Sequence, residues 1–190
     1  MSETINIAVL NGSVRMGRKS PQVAEYLVQQ LNNSGDNVKA HYLDLAEYNL
    51  PIMQERRGIH PNLPASAEKL GVALENADAL IVVTPEYNGG YPGVLKNALD
   101  YYYDELTKKP VGVVSVSSGR MGAIQAWEKL VALFVKIGSF MANARFHVGE
   151  VGNVFDEDGN VTSEHFEKSA ARFVRDYLWF TDAILTKKRK

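Results

Sequence analysis

The sequence predicts an α/β fold: a doubly wound, five-stranded parallel sheet with helices on both faces. Three observations predict it. Short apolar runs alternate along the chain with stretches of helical periodicity. Three of those runs are continuously apolar, as strands buried on both faces must be. Glycine-bearing loops follow the first, third and fourth runs, and the carboxyl edge of such a sheet is where ligands sit.

The elements follow in order. Ile5–Leu10 (INIAVL) is the first strand. After the loop Asn11–Lys19, Ser20-Pro21 reads as an N-cap followed by proline in the first helical position. Val23, Tyr26, Leu27 and Leu31 make the stripe of the first helix, with Gly35 as its stop. Val38, Ala40 and Tyr42 alternate with Lys39 and His41, the pattern of a strand near the sheet's edge. Leu50–Ala65 is irregular, and loops of this length tend to be functional or mobile. Ala67–Leu74 is a short helix, Ala79–Thr84 the third strand and Val94–Leu106 a tyrosine-rich helix. Val111–Ser117 is the fourth strand. Ile124, Trp127, Leu130, Val131, Phe134 and Ile137 keep helical spacing. Ala144–Val148 is the fifth strand, and Phe166, Ala170, Phe173, Val174 and Tyr177 mark a long last helix. Five strands without a G-x-G-x-x-G motif favour the flavodoxin-like strand order, 2-1-3-4-5, over the Rossmann-like one.

Composition narrows the function. The 190 residues suit one domain, 1–190, with a full core. Lys and Arg number 21 against 22 Asp and Glu, a formal net charge of -1 that demands neither nucleic acid nor a membrane surface as partner. With 0 cysteines there are no disulfides, thiolate nucleophiles or cysteine metal sites, which fits a reducing, cytoplasmic setting. The start, Met1-Ser2-Glu3-Thr4, is polar and acidic, unlike a signal peptide, and no apolar run approaches the ~20 residues of a membrane helix.

Two loops carry the chemistry. The first, NGSVRMGRKS (Asn11–Ser20), supplies hydroxyls at Ser13 and Ser20, cations at Arg15, Arg18 and Lys19, and leads into a helix N-terminus. Free amides, a positive dipole end and charge-assisted donors together make an anion site; the alternative is a solvated basic turn. It is not a P-loop. Gly12 and Gly17 have that motif's spacing, but Arg18 stands where lysine belongs, Lys19-Ser20 comes one residue late, and neither the third nor the fourth strand ends in a carboxylate to hold magnesium. The second loop, PEYNGGYPG (Pro85–Gly93), joins three glycines, two prolines and two tyrosines, a composition suited to holding a flat ring. In the flavodoxin-like order these loops meet at the switch point, where FMN is the known occupant in flavodoxin. A third loop, Ser115–Met121, lies on the same edge and could close over the ring.

The stretches GSVR with Ser20, and TPEYNGGYPGVLKNALD, resemble the NADPH-dependent FMN reductase family, which includes quinone, azo-dye and chromate reductases. The resemblance implies that Ser13, Arg15 and Ser20 contact the FMN phosphate. It implies that Pro85, Glu86, Tyr87 and Asn88 line the ribityl chain and isoalloxazine with Gly89 close by, and that Ser117, Ser118 and Gly119 flank the ring. Many members carry a small hydroxyl residue where Arg18 stands, so this guanidinium either shares the phosphate or faces solvent. The implied enzyme takes hydride from NADPH or NADH onto FMN and reduces a small-molecule acceptor (quinone, flavin, azo dye or metal oxyanion) by a ping-pong mechanism. It needs no catalytic side chain and no metal, and forms a homodimer or homotetramer. A flavodoxin-like electron carrier or redox-sensing module is the alternative; such carriers are usually markedly acidic.

Other features have plainer readings. Trp127 and Trp179 lie on apolar helical patterns, as core or interface. Tyr101, Tyr102 and Tyr103 cannot share one helix face, so some are exposed or at a subunit contact. The four histidines lack metal spacing, and Asp156–Asn160 reads as an acidic turn rather than a calcium loop. The basic tail Lys187–Lys190 is a solubilising, frayed end. The loop Gln54–Asn62 either gates the acceptor site or is merely mobile. Arg56, Arg57 and Arg120 either read a 2′-phosphate or are solvated.

Overall fold

A computed structural model describes residues 4–188; the readings made for Met1–Glu3 and for the last two residues of the tail lie outside it. Five parallel strands form one sheet in the order β2-β1-β3-β4-β5. They are β1 (Ile5–Asn11), β2 (Val38–Asp44), β3 (Ala79–Pro85), β4 (Pro110–Val116) and β5 (Phe140–Val148). The helices are α1 (Ser20–Asn32), α2 (Leu45–Tyr48), α3 (Ala65–Glu75), α4 (Gly93–Tyr101), α5 (Ile124–Ile137) and α6 (Glu164–Lys188). This is the flavodoxin-like order, and the chain changes direction across the sheet between β1 and β3.

The period of two along each strand divides the core into two layers. Ile7 and Val9, with Ile81 and Val83, face α1 and α6. Ala8 and Leu10, with Leu80 and Val82, face α2 to α5. Every side chain of β4 is buried, whereas β2 alternates buried and exposed in its first four residues, as an edge strand should. β5 forms the other edge. Its exposed Phe140, Asn143 and Arg145 break the apolar run, and so the periodicity marks only the second half of this strand.

Several boundaries differ from the sequence reading for local reasons. Ser20 is not the cap of α1 but its first residue; the cap position falls on Lys19, and Ser20 Oγ donates to Asn11 Oδ1 at 2.7 Å. α1 ends at Asn32, capped by Asn33, before Gly35 is reached. α4 stops at Tyr101 because Tyr102 turns extended and buries its ring, its hydroxyl donating to Ala67 O at 2.8 Å. Tyr101 and Tyr102 are each 1% exposed, while Tyr103 is 41% exposed beneath the Arg56 guanidinium. Trp127 packs on the core, but Trp179 stands 74% exposed on the outer side of α6. Among the described residues no cluster of His, Asp or Glu could hold a metal ion, and Asp156 accepts from the Asn160 amide as the acidic turn requires.

The irregular segment between α2 and α3 is fastened to the body. Asn97 holds it at both sides, donating to Pro51 O and accepting from the Met53 amide, each at 2.8 Å. Arg57 then ion-pairs with Glu68, Glu75 and Glu105 at 2.7–2.9 Å. That guanidinium is fully engaged here, so it is neither solvated nor free to read a 2′-phosphate.

Candidate functional site

At the carboxyl edge of the sheet the loops following β1, β3 and β4 converge on a cleft of about 170 Å³. Ser13, Arg15, Arg18 and Ser20 line it from the first loop, Pro85, Glu86 and Tyr87 from the second, Ser117 and Ser118 from the third. Asn88, Gly89 and Gly119 lie beyond its wall. Gly17, Lys19, Val116 and Val151 line it as well.

The first loop is built from the inside out. Ser13 is fully buried, and its hydroxyl meets Tyr87 OH at 2.9 Å, tying the first loop to the second. Arg18 neither faces open solvent nor stands free. It makes a bidentate ion pair with Asp44, both oxygens at 2.6 Å, and also donates to Ser13 O. Asp44 collects the Tyr42 hydroxyl at 3.1 Å and the Ala46 amide at 3.0 Å. Burial alone would raise the Asp44 carboxyl's pKa, but the Arg18 and Ala46 hydrogen bonds outweigh it and hold the group below the usual carboxylate range. Asn11, fully buried, accepts from Ser20 and donates to Ser13 O and Asp44 Oδ1, each at 3.3 Å.

Sequence reasoning missed Asn11 and Asp44 as the frame of this loop. A signal existed: both are polar residues closing their strands, and the register pairs them at the same sheet edge. With Arg18 committed to Asp44, Arg15 and Lys19 are the exposed cations of the loop, and neither has an ion pair among the described residues.

The second loop is a tight hairpin. Tyr87 and Gly90 exchange backbone hydrogen bonds at 2.7 and 3.2 Å, around Asn88 and Gly89 at φ 52 and 73. Two successive positive φ values define a type I′ turn, which Asn-Gly forms at least cost. The Asn88 and Gly89 amides donate to nothing among the described residues. Glu86, also on the cleft wall, is tied to α5. Its carboxylate accepts from the Gln125 and Ala126 amides at 3.1 and 3.2 Å, an anion on the N-terminus of α5. Lys129 of α5 also donates to Gly89 O. The second loop is therefore braced on α5 rather than free.

The third loop lies against the segment after β5. Ser117 donates its amide to Val148 O at 2.8 Å and accepts from the Val151 amide at 3.1 Å. The Glu150 amide donates to Gly119 O at 3.1 Å. Arg120, 88% exposed, meets Glu150 at 3.4 Å.

The cleft wall thus gathers a buried serine, exposed cations and the start of α1, and the Asn88 and Gly89 amides of the adjoining turn are unpaired among the described residues. The family model for NADPH-dependent FMN reductases matches residues 5–152. The chain belongs to the NADPH-dependent FMN reductase family. It is thus an oxidoreductase of the FMN-reductase type, a family whose description names FMN and a reduced nicotinamide. An NAD(P)H-dependent FMN reductase of Schizosaccharomyces pombe is 35% identical over 138 residues, covering 70% of this chain and 68% of its own. A quinone reductase of Escherichia coli is 31% identical over 156 residues, 80% of each chain. Among solved structures, a flavoenzyme NAD(P)H:(acceptor) oxidoreductase from Paracoccus denitrificans superposes with a TM-score of 0.80 at 26% identity, covering 95% of this chain and 98% of that one.

Proposed function

We propose that this chain is an FMN-dependent NAD(P)H oxidoreductase whose acceptors are small molecules of the quinone, flavin, azo or metal-oxyanion class. One observation carries the reading: the cleft joins the buried Ser13 and the exposed Arg15 and Lys19 to the start of α1, while the Asn88-Gly89 turn stands just outside it. At about 170 Å³ the cleft is smaller than the ~300–1,000 Å³ usual for a whole ligand. It suits the phosphate and ribityl end, leaving the ring over the second and third loops.

The geometry supports these residue roles. Ser13 and Arg15 bind the phosphate with the α1 amides. Ser20 contributes its amide rather than its hydroxyl, whose proton is spent on Asn11. Arg18 acts on the phosphate at second hand, holding the Ser13 carbonyl and the loop. Pro85 and Tyr87 line the ribityl chain, Glu86 anchors their loop on α5, and the Asn88 and Gly89 amides face the ring's acceptors. Ser117, Ser118 and Gly119 flank the ring from the third loop. When bound, FMN supplies the redox chemistry, accepting hydride from NADPH or NADH and returning electrons to the acceptor. The protein orients the ring and leaves one face open, so donor and acceptor use that face in turn and the kinetics are ping-pong. The enzyme works in the cytoplasm as one domain per chain, in a homodimer or homotetramer; the exposed Ile52, Ile59 and Tyr103 support a subunit contact near α4.

The test mixes purified protein with FMN, then NADPH and a benzoquinone. We expect quenching of flavin fluorescence, rapid NADPH oxidation and parallel double-reciprocal plots. Protein that stays colourless and quenches no flavin overturns the reading. A tightly held flavin that NADPH cannot reduce marks an electron carrier instead.

A further inference from the structure

A hydrogen-bond chain outside the cleft joins β5 to the third loop through β4. Ser115 and His147 are register partners on β4 and β5. Ser115 is fully buried, and its Oγ lies 2.6 Å from Gly122 O and 2.8 Å from His147 Nδ1. A serine hydroxyl has one proton, and a carbonyl oxygen can only accept. That proton therefore goes to Gly122, so His147 Nδ1 must itself carry a hydrogen and donate to Ser115. The imidazole is held edge-on against Trp127, whose indole Nε1 donates to Val113 O at 3.2 Å.

The receiving end is a demanding piece of backbone. Gly122 and Ala123 both have φ 61, and a left-handed alanine is held only where its surroundings impose it. A Cβ on Gly122 would sit 2.8 Å from His147 Cβ, so the loop presses directly on β5 at that residue. The loop's other end is already fixed by the Ser117 pairings with Val148 and Val151. Ser118 lies between the two anchors and lines the cleft.

The geometry points to His147 as a positioning residue of the flavin site: in the Nδ1–H form it commits the Ser115 proton to Gly122 O, fixing the loop that presents Ser117, Ser118 and Gly119 to the ring. This inference rests on the ring lying against that loop, as proposed above. It assigns His147 no contact with flavin or substrate.

Two measurements test it. The first needs no ligand: nitrogen-15 NMR of the wild-type imidazole should show Nδ1 protonated and Nε2 bare. Nε2 protonated with Nδ1 bare overturns the latch. The second compares variants for FMN affinity by fluorescence titration. Asparagine places its amide nitrogen as many bonds from Cβ as Nδ1, so His147→Asn keeps the donor, whereas His147→Leu keeps only apolar bulk against Trp127. We expect His147→Leu and Ser115→Ala to weaken FMN by about five- to 100-fold, the range for a buried partner left unsatisfied, with His147→Asn restoring most of the loss. Equal affinity for Asn and Leu variants that melt like wild type overturns the positioning role. Should wild type bind no FMN, the flavin reading fails, and the NMR result still decides the latch. Should a variant fail to fold, the NMR result decides as well.

Discussion

At the scale of single residues, the cations of the first loop divide into two jobs that their sequence positions do not distinguish. Arg15 is exposed and unpaired among the described residues, so it has a charge to give a phosphate. Arg18 has already spent its charge on Asp44. Arg15→Ala is expected to weaken FMN by about 1.5–3 kcal/mol, the worth of a charged hydrogen bond, without lowering the melting temperature. Asp44→Asn should do the reverse in order of effect. It strips Arg18 of its partner and costs about 1–3 kcal/mol of stability in denaturant unfolding, with FMN weakening as a consequence. Unchanged stability in Asp44→Asn would detach this ion pair from the loop's architecture. The candidate binding residues that line the cleft were legible in the sequence because hydroxyls, cations and glycines cluster in one short string. Those that hold them were not: Asn11 and Asp44 are 33 positions apart and meet only because β1 pairs with β2.

At the scale of elements, α5 matters as much to the second loop as the loop's own composition. The Asn88-Gly89 turn is written locally, since few other pairs tolerate two positive φ values in succession. Where that turn points is not local. It is set by Glu86 on the Gln125 and Ala126 amides and by Lys129 on Gly89 O. Glu86→Ala should cost about 1 kcal/mol, the worth of a cap at a helix start, and Glu86→Gln less, both read from the midpoint of urea unfolding. No change in either variant would show that α5 does not brace the loop. The same distinction explains the misplaced end of α4. Its helical spacing continues past Tyr101, but a buried site for the Tyr102 ring, closed by a hydrogen bond to Ala67 O, outweighs propensity.

At the scale of the whole molecule, the fold ties its stability to pH through His147. Burial, then the nearby Arg145 guanidinium, holds this imidazole's pKa below its ordinary 6.5. The unfolded chain takes up the proton near pH 6.5 while the folded chain still resists it, so the unfolded state binds more protons in that window. Stability from this group is therefore complete above about pH 6.5 and is lost as pH falls toward the depressed value. The melting temperature should drop between pH 7.5 and roughly 5.5, and His147→Asn, which cannot titrate, should drop less. Identical slopes for the two proteins would remove His147 from the acid response.

The sequence by itself determined the class of fold, the strand order and the loops that meet at the switch point. These follow from periodicity, from continuous apolar runs and from glycine, proline and hydroxyl residues, all properties of neighbours along the chain. Only the tertiary structure decided which charges were free, what the Glu86 carboxylate holds, and that a histidine on the last strand reaches the third loop. Each of those depends on pairings across the sheet, where a carboxylate or an imidazole arrives from a distant segment and takes the proton or the charge that the local sequence leaves unassigned.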